Sequence, residues 1–167
     1  NKDVDGFHPE NRKALAADTP LLVPPVALAV MRMLQASRAP LAGKHAVIVG
    51  NSAIFSVPIV DLMREAGVLA TFVESDASAL AAKTRVADII IIAVGQAGFL
   101  TRDMVKQGAI VIDVGTNKTA DGRVVGDSAP DLDGHAGFMS RVPGGVGPLT
   151  VAYLLFNVIK AMEVQKG

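Results

Sequence analysis

Ala46-Val47-Ile48-Val49-Gly50-Asn51-Ser52-Ala53-Ile54-Phe55-Ser56, followed through Pro58 to Gly67, decides the fold. Its first four residues form a short run dominated by β-branched side chains, which suit a pleated, buried surface, and Gly50 ends it. From Pro58 to Ala66, the residues Ile59, Leu62, Met63 and Ala66 share one helical face, and Gly67 is placed as a C-terminal cap. The unit is strand, turn, helix, and it recurs. Leu69 to Val73 reads as a second strand and Ala77 to Arg85 as a helix. Ile89 to Val94 is a third strand, whose unbroken apolar character predicts burial on both faces of a parallel sheet. Thr101 is positioned as an N-cap with Asp103 in the first turn, Gly108 closes that helix, and Ala109 to Val114 is a fourth strand. Asp121-Gly122, between Lys118-Thr119 and Arg123-Val124-Val125, carries a hairpin-turn signal. This alternation predicts an α/β fold, Rossmann-like and doubly wound, with a mostly parallel sheet and a small antiparallel hairpin.

The flanks complete the pattern. After Pro24-Pro25, the residues Val26, Ala29, Val30, Met33 and Leu34 recur at helical spacing and stop before Pro40. Leu149 to Gln165 carries Val151, Leu154, Leu155, Val158, Ile159 and Met162 as an apolar stripe on a closing helix. Residues Asn1 to Leu22 show no sustained period and read as an irregular leader that must lean on a neighbour. The expected division is therefore 1–22 as the end of one domain, 23–148 as the nucleotide-binding unit with its entry helix, and 149–167 as a helix returning toward the first domain.

Composition narrows the function classes. With 167 residues, of which 50% are hydrophobic and 19% charged, the chain holds enough apolar material for one core and no second full domain. Sixteen basic residues balance sixteen acidic ones, so no net field draws the chain to nucleic acid or an anionic membrane. The longest purely aliphatic run, Ile89 to Val94, falls far short of the ~18 residues that span a bilayer, so no membrane partner is expected. Cysteine is absent, which excludes disulfides, thiolate metal sites and a thiol nucleophile, and fits a cytoplasmic location. Asp3-Val4-Asp5-Gly6 lacks the further acids of a calcium loop, and His8, His45 and His135 lack metal-ligand spacing, so no metal is expected.

Ligands of open parallel sheets sit at the carboxyl edge of the strands. There Gly50, Asn51 and Ser52 form a turn that could seat a diphosphate on bare backbone and helix N-H groups, while Gly95 follows the third strand. The alternative is a turn whose glycine and serine serve chain geometry alone. The acids Glu74 and Asp76 end the second strand, about where dinucleotide folds place a carboxylate on the adenosine ribose; a solvated acidic loop is the competing reading. Pro143-Gly144-Gly145-Val146-Gly147-Pro148 is bare, expensive to order, and suited to close packing against a flat ligand or another backbone.

Four stretches, Lys2-Asp3-Val4-Asp5-Gly6-Phe7-His8-Pro9, Gly43 to Gly50, Gly108 to Asn117 and Val142 to Thr150, together with Val125-Gly126-Asp127, resemble the bifunctional methylenetetrahydrofolate dehydrogenase/methenyltetrahydrofolate cyclohydrolase family. The likeness runs almost the whole length in family order. It implies a folate-binding N-terminal domain beside a Rossmann-type NAD(P) domain, with folate between them, and a homodimer formed through the cofactor domains. It also implies that Asp5 hydrogen-bonds the pterin, that Pro143, Gly144 and Gly145 line the meeting point of folate and nicotinamide, and that Gly50, Asn51, Ser52 and Thr116 take the cofactor. The family's cyclohydrolase lysine belongs to a Tyr-x-x-x-Lys motif that does not occur in this sequence. Where the family often reads G-R-S-x-I-V-G-x-P, this chain has Asn51, Phe55 and Ser56. The missing arginine would have held the extra phosphate of NADP, so Asn51 and Asp76 together favour NAD. Loss of that arginine also leaves open a module that binds dinucleotide, or assembles with a partner, without catalysing.

Overall fold

In the computed structural model, which describes residues 2–166, five parallel strands form one sheet in the order β2-β1-β3-β4-β7. These strands are β1 (His45–Gly50), β2 (Leu69–Glu74), β3 (Ile89–Ala93), β4 (Ile110–Asp113) and β7 (Phe138–Met139). A separate antiparallel pair, β5 (Asn117–Lys118) with β6 (Val124–Val125), is the expected hairpin, with Gly122 in the left-handed region at its turn. The chain leaves β1 to one side for β2 and to the other for β3. That reversal opens a crevice beyond Gly50 and Ala93, which are register partners.

Strand alternation sorts the core into two layers. Ala46, Ile48, Ile89, Ile91, Ile110 and Ile112 face one layer, which is covered by α2 (Pro25–Ala36), α3 (Ala53–Glu65) and α5 (Val146–Lys166). Val47, Val49, Ile90, Ile92 and Val111 face the other, roofed by Leu80, Leu100, Val105 and Leu132. The apolar run of β3 is thus buried on both faces, as a central parallel strand requires.

The second layer carries less helix than the sequence predicts. The helix expected over 77–85 shrinks to α4 (Leu80–Thr84), because no side chain caps its start and Val86-Ala87 must lead into β3. The helix expected from Thr101 to Gly108 is one 3-10 turn, Arg102–Met104. There the Thr101 hydroxyl bonds the Asp103 side chain instead of a backbone N-H, and the Val105 carbonyl, in extended backbone, pairs with His135 Nε2 at 2.8 Å. The leader is not irregular throughout. It contains α1 (Pro9–Ala16), started by Pro9 and by His8 Nδ1, which accepts from the Glu10 N-H, and anchored by buried Leu15. Helix α3 starts at Ala53, five residues before the expected Pro58, so the turn after β1 is only Asn51-Ser52. Pro58 withholds one amide from that helix, opposite the carbonyl of the exposed Ile54.

Helix α5 begins earlier than expected and leaves Val151, Leu155, Phe156, Ile159 and Met162 exposed. Its Val146–Gln165 segment, with a mean hydropathy of 1.2, is long and apolar enough to cross a bilayer by length and composition. Polar residues Thr150, Asn157 and Lys160 interrupt any unbroken aliphatic run there. In the fold the helix packs along α2, and buried Asn157 donates to the Val4 and Val23 carbonyls at 2.8 Å each.

On the opposite, amino edge of the sheet, Asp88 accepts from Lys106 Nζ at 2.7 Å and from the His45 N-H at 3.1 Å. The lysine first, then that N-H, hold the Asp88 carboxyl below its ordinary value despite partial burial. A depressed folded pKa gives stabilisation that is present above the unfolded value and lost as pH falls through the folded one. Discounted for solvent screening, the pair contributes at most about 0.5 kcal/mol. Lys106→Met is expected to cost about that near neutral pH and nothing at a pH below about 2, read from urea melts. An equal cost at both would remove the linkage.

Candidate functional site

The crevice has two parts. At the ends of β1 and β2, Asn51, Glu74, Ser75 and Asp76 line one depression. Asn51 is the cross-tie: its Nδ2 donates to the Val94 carbonyl at 2.8 Å and its Oδ1 accepts from the Ser75 hydroxyl. One side chain therefore links the loops that follow three strands. Gly50 is buried between them; a Cβ there would sit 3.3 Å from the Ala93 carbonyl oxygen and 3.6 Å from Ser56 Oγ. Ser52 occupies the N-cap of α3 but makes no side-chain cap bond, so the amides of the first turn are not taken by it. Its carbonyl accepts from the buried Ser56 hydroxyl at 3.1 Å.

The second part is a cleft of about 170 Å³ bordered by Asp113, Thr116, Val124 and the Arg141 to Pro148 segment. Pro143, after a cis peptide bond, and Gly144, at φ +107°, are exposed. Gly145 is buried, and a Cβ on it would lie 2.4 Å from the Arg141 carbonyl oxygen. Bare backbone at Gly145 thus serves close chain packing, while Gly144 has open space around it.

The structure groups Asn51 with Asp76 and Thr116 with Pro143, Gly144 and Gly145, and places Gly50 and Ser52 on the turn beside the first group. Gly95, at φ +75°, follows β3, where its N-H is held by Asp127. Asp5 lines neither depression; it sits exposed on the leader's turn, next to the Val4 carbonyl bonded by Asn157.

Two buried acids organise these loops and were not singled out by residue-level reading. Asp113 ends β4 in the buried phase and accepts N-H groups from Gly115 at 2.9 Å, Asp127 at 3.1 Å and Ser128 at 2.7 Å. Burial raises its carboxyl above the ordinary value, outweighing the N-H bonds, which lower it. Asp127, fully buried, accepts from Val94, Gly95, Gln96 and Asn117 Nδ2. The fit is reciprocal: a Cβ on Gly115 would lie 2.2 Å from Asp127 Cγ, and one on Gly126 would lie 2.2 Å from Asp113 Oδ2. The signal for this pair was an acid beside a glycine at each location, Asp113-Val114-Gly115 and Gly126-Asp127.

Comparison with known proteins places this geometry. A family model described as "Tetrahydrofolate dehydrogenase/cyclohydrolase, NAD(P)-binding domain" matches residues 24–166. The chain belongs to the tetrahydrofolate dehydrogenase/cyclohydrolase family. It is 46% identical over 166 residues to the bifunctional protein FolD of Nitrosomonas eutropha, covering 99% of this chain and 56% of that protein. It is 47% identical over 163 residues to FolD of Burkholderia mallei, covering 97% of this chain and 57% of the relative. Among solved structures of the family, FolD from Campylobacter jejuni superposes with a TM-score of 0.89 at 40% identity, covering 98% of this chain and 59% of the other. The Trypanosoma brucei enzyme, complexed with NADP cofactor and an inhibitor, gives 0.89 at 35% identity over 98% of this chain and 59% of its own. The chain thus spans between half and two thirds of the length of these family members.

Proposed function

We propose that this chain is the cofactor-binding part of an enzyme that oxidises methylenetetrahydrofolate to methenyltetrahydrofolate with NAD(P), coupled to cyclohydrolysis toward formyltetrahydrofolate. The observation that carries the reading is the switch-point crevice, with Asn51 and Asp76 at one end of the sheet edge and Thr116 and Pro143 to Gly145 bordering a cleft at the other. A dinucleotide fits these residues: the uncapped start of α3, just after Gly50, suits a diphosphate, and the Asp76 carboxylate suits two ribose hydroxyls. When bound, the nicotinamide supplies the acceptor for a hydride from the folate methylene. The residues of this chain align and shield. Asn51 ties three loops into one floor, Ser52 leaves the amides of the first turn of α3 open to a diphosphate, and Thr116 with Pro143, Gly144 and Gly145 borders the cleft that would take the nicotinamide and folate rings.

Asp5 would orient the pterin from the leader. Cyclohydrolase chemistry would need a lysine outside this sequence, so the chain alone would lack that activity. In the relatives' remaining length we place the folate domain: residues 1–22 would be its end, 23–148 the NAD(P) unit, and 149–167 the returning segment, on which the exposed Leu155, Phe156 and Ile159 of α5 would face it. A homodimer through the NAD(P) domains, with the β5-β6 hairpin at the contact, and a cytoplasmic location complete the reading. A second reading, a dinucleotide-binding or assembly module without catalysis, is favoured by Asn51, whose amide is already engaged by Val94 and Ser75.

NAD is expected to bind more tightly than NADP, because Asp76 repels a phosphate on the ribose it would otherwise hold. Calorimetric titration should show a preference of about tenfold or more, and Asp76→Ala should weaken NAD by about tenfold while leaving NADP unchanged or improved. No heat with either dinucleotide sinks the first reading and leaves only the assembly module of the second. Dinucleotide binding without hydride transfer, once the folate domain is supplied, selects the second.

A further inference from the structure

At the end of β3 the N-H groups of Val94, Gly95 and Gln96 converge on one carboxylate, at 2.6 and 2.9 Å to Asp127 Oδ2 and 3.0 Å to Oδ1. Asn117 Nδ2 adds a fourth donor at 2.8 Å to Oδ1. With Gly95 at φ +75°, successive N-H groups turned inward make a nest of the kind that receives anions. In many nucleotide sites such a nest takes a ligand's phosphate. Here Asp127, 0% exposed, takes it from within the protein. Room for that carboxylate exists only because residue 115 is glycine, and Asp127 is itself held by its N-H bond to Asp113 Oδ1 at 3.1 Å.

We infer that Asp127 is a positioning residue, an internal anion that fills the nest after β3, fixes the Val94 to Gln96 loop, and leaves the turn after β1 as the seat for a diphosphate. Its consequence for the cofactor rests on the dinucleotide reading above; its action on the loop does not. The chain of contacts is short: the Val94 carbonyl that receives Asn51 Nδ2 belongs to the residue whose N-H Asp127 holds. Losing the carboxylate therefore loosens the Asn51 cross-tie as well as Gly95. The Asn117 bond extends the same control to the base of the β5-β6 hairpin.

The test uses this chain with Asp127→Ala, which leaves a hole the size of a small carboxylate, and has two readouts. Amide hydrogen exchange at Val94, Gly95 and Gln96, which needs no ligand, should accelerate by about tenfold or more, and NAD affinity by calorimetry should fall by about tenfold or more. Added formate should restore both, whereas chloride at equal ionic strength should not. Unchanged exchange in a folded Asp127→Ala variant overturns the inference, as does a loss that formate fails to reverse, because a general packing defect would behave that way. Wild-type chain that binds no dinucleotide would count against the cofactor reading alone, with exchange and formate rescue still deciding the role of Asp127. Should Asp127→Ala not fold, Asp127→Asn carries the test. It keeps the shape but turns one acceptor oxygen into a donor, so at least one of the three amides must lose protection while those of β1 and β4 keep theirs. Protection of all three in that variant overturns the inference equally.

Discussion

Gly126→Ala is expected to destabilise the protein by about 3–5 kcal/mol, a fall in melting temperature of about 8–15 °C for a chain this size. The new methyl would lie 2.2 Å from Asp113 Oδ2 and 2.6 Å from its Cγ. Asp113 is 3% exposed and cannot swing aside without giving up the N-H groups of Gly115, Asp127 and Ser128. Either the carboxylate moves and a buried acid loses its donors, or the strand ends move apart. Gly115→Ala should behave alike, since its Cβ would meet Asp127 at the same 2.2 Å. Gly147→Ala is the contrast: nothing lies within 4 Å of a Cβ there, and the site is helical, so stability should hold or rise by up to about 1 kcal/mol. Thermal melts of the three variants decide the matter. A Gly126→Ala protein melting with the wild type would show that the two acids do not grip as described.

The second large effect is expected at Asn157, 2% exposed on α5. Its Nδ2 donates at 2.8 Å to the carbonyls of Val4 and Val23, joining the leader and the approach to α2 to one side chain. Leucine fills similar volume and offers no donor, so Asn157→Leu leaves both carbonyls without that partner at a cost of about 2–4 kcal/mol. The loss should fall first on the leader, which among the described residues contributes Leu15 and Leu22 alone to the buried apolar set. Trypsin at Arg12 and Lys13 should cut the variant well before wild type, while the melting temperature of the sheet falls less. A leader equally resistant in both proteins would show that α1 is held by its packing on α3 instead.

What the sequence discloses follows from how local each cause is. Strands β1 and β3 are legible because four or more apolar residues in a row, many of them β-branched, have few other uses in an α/β chain. Asp121-Gly122 announces its hairpin because a turn needing a left-handed residue is specified by two neighbours. Helix α1 is not legible, since a single buried leucine gives no period. The segment 101–108 looks helical because Thr101 and Asp103 suit a cap, yet Val105 is pulled into extended backbone by a partner thirty positions on, His135. The same contrast runs through the site. Gly50, Asn51 and Asp76 could be placed from their distance along the strands, and the structure does gather Asn51 with Asp76. The Asp113 and Asp127 pair depends on two glycines and two acids meeting across a hairpin, a pairing that neither short stretch discloses by itself.

The bond from Asn157 to Val4 spans 153 positions. During synthesis, that contact therefore cannot form until α5 has left the ribosome. The sheet between them consists of neighbouring crossovers and can assemble meanwhile, so Val4 is tied down only after the sheet has its strands.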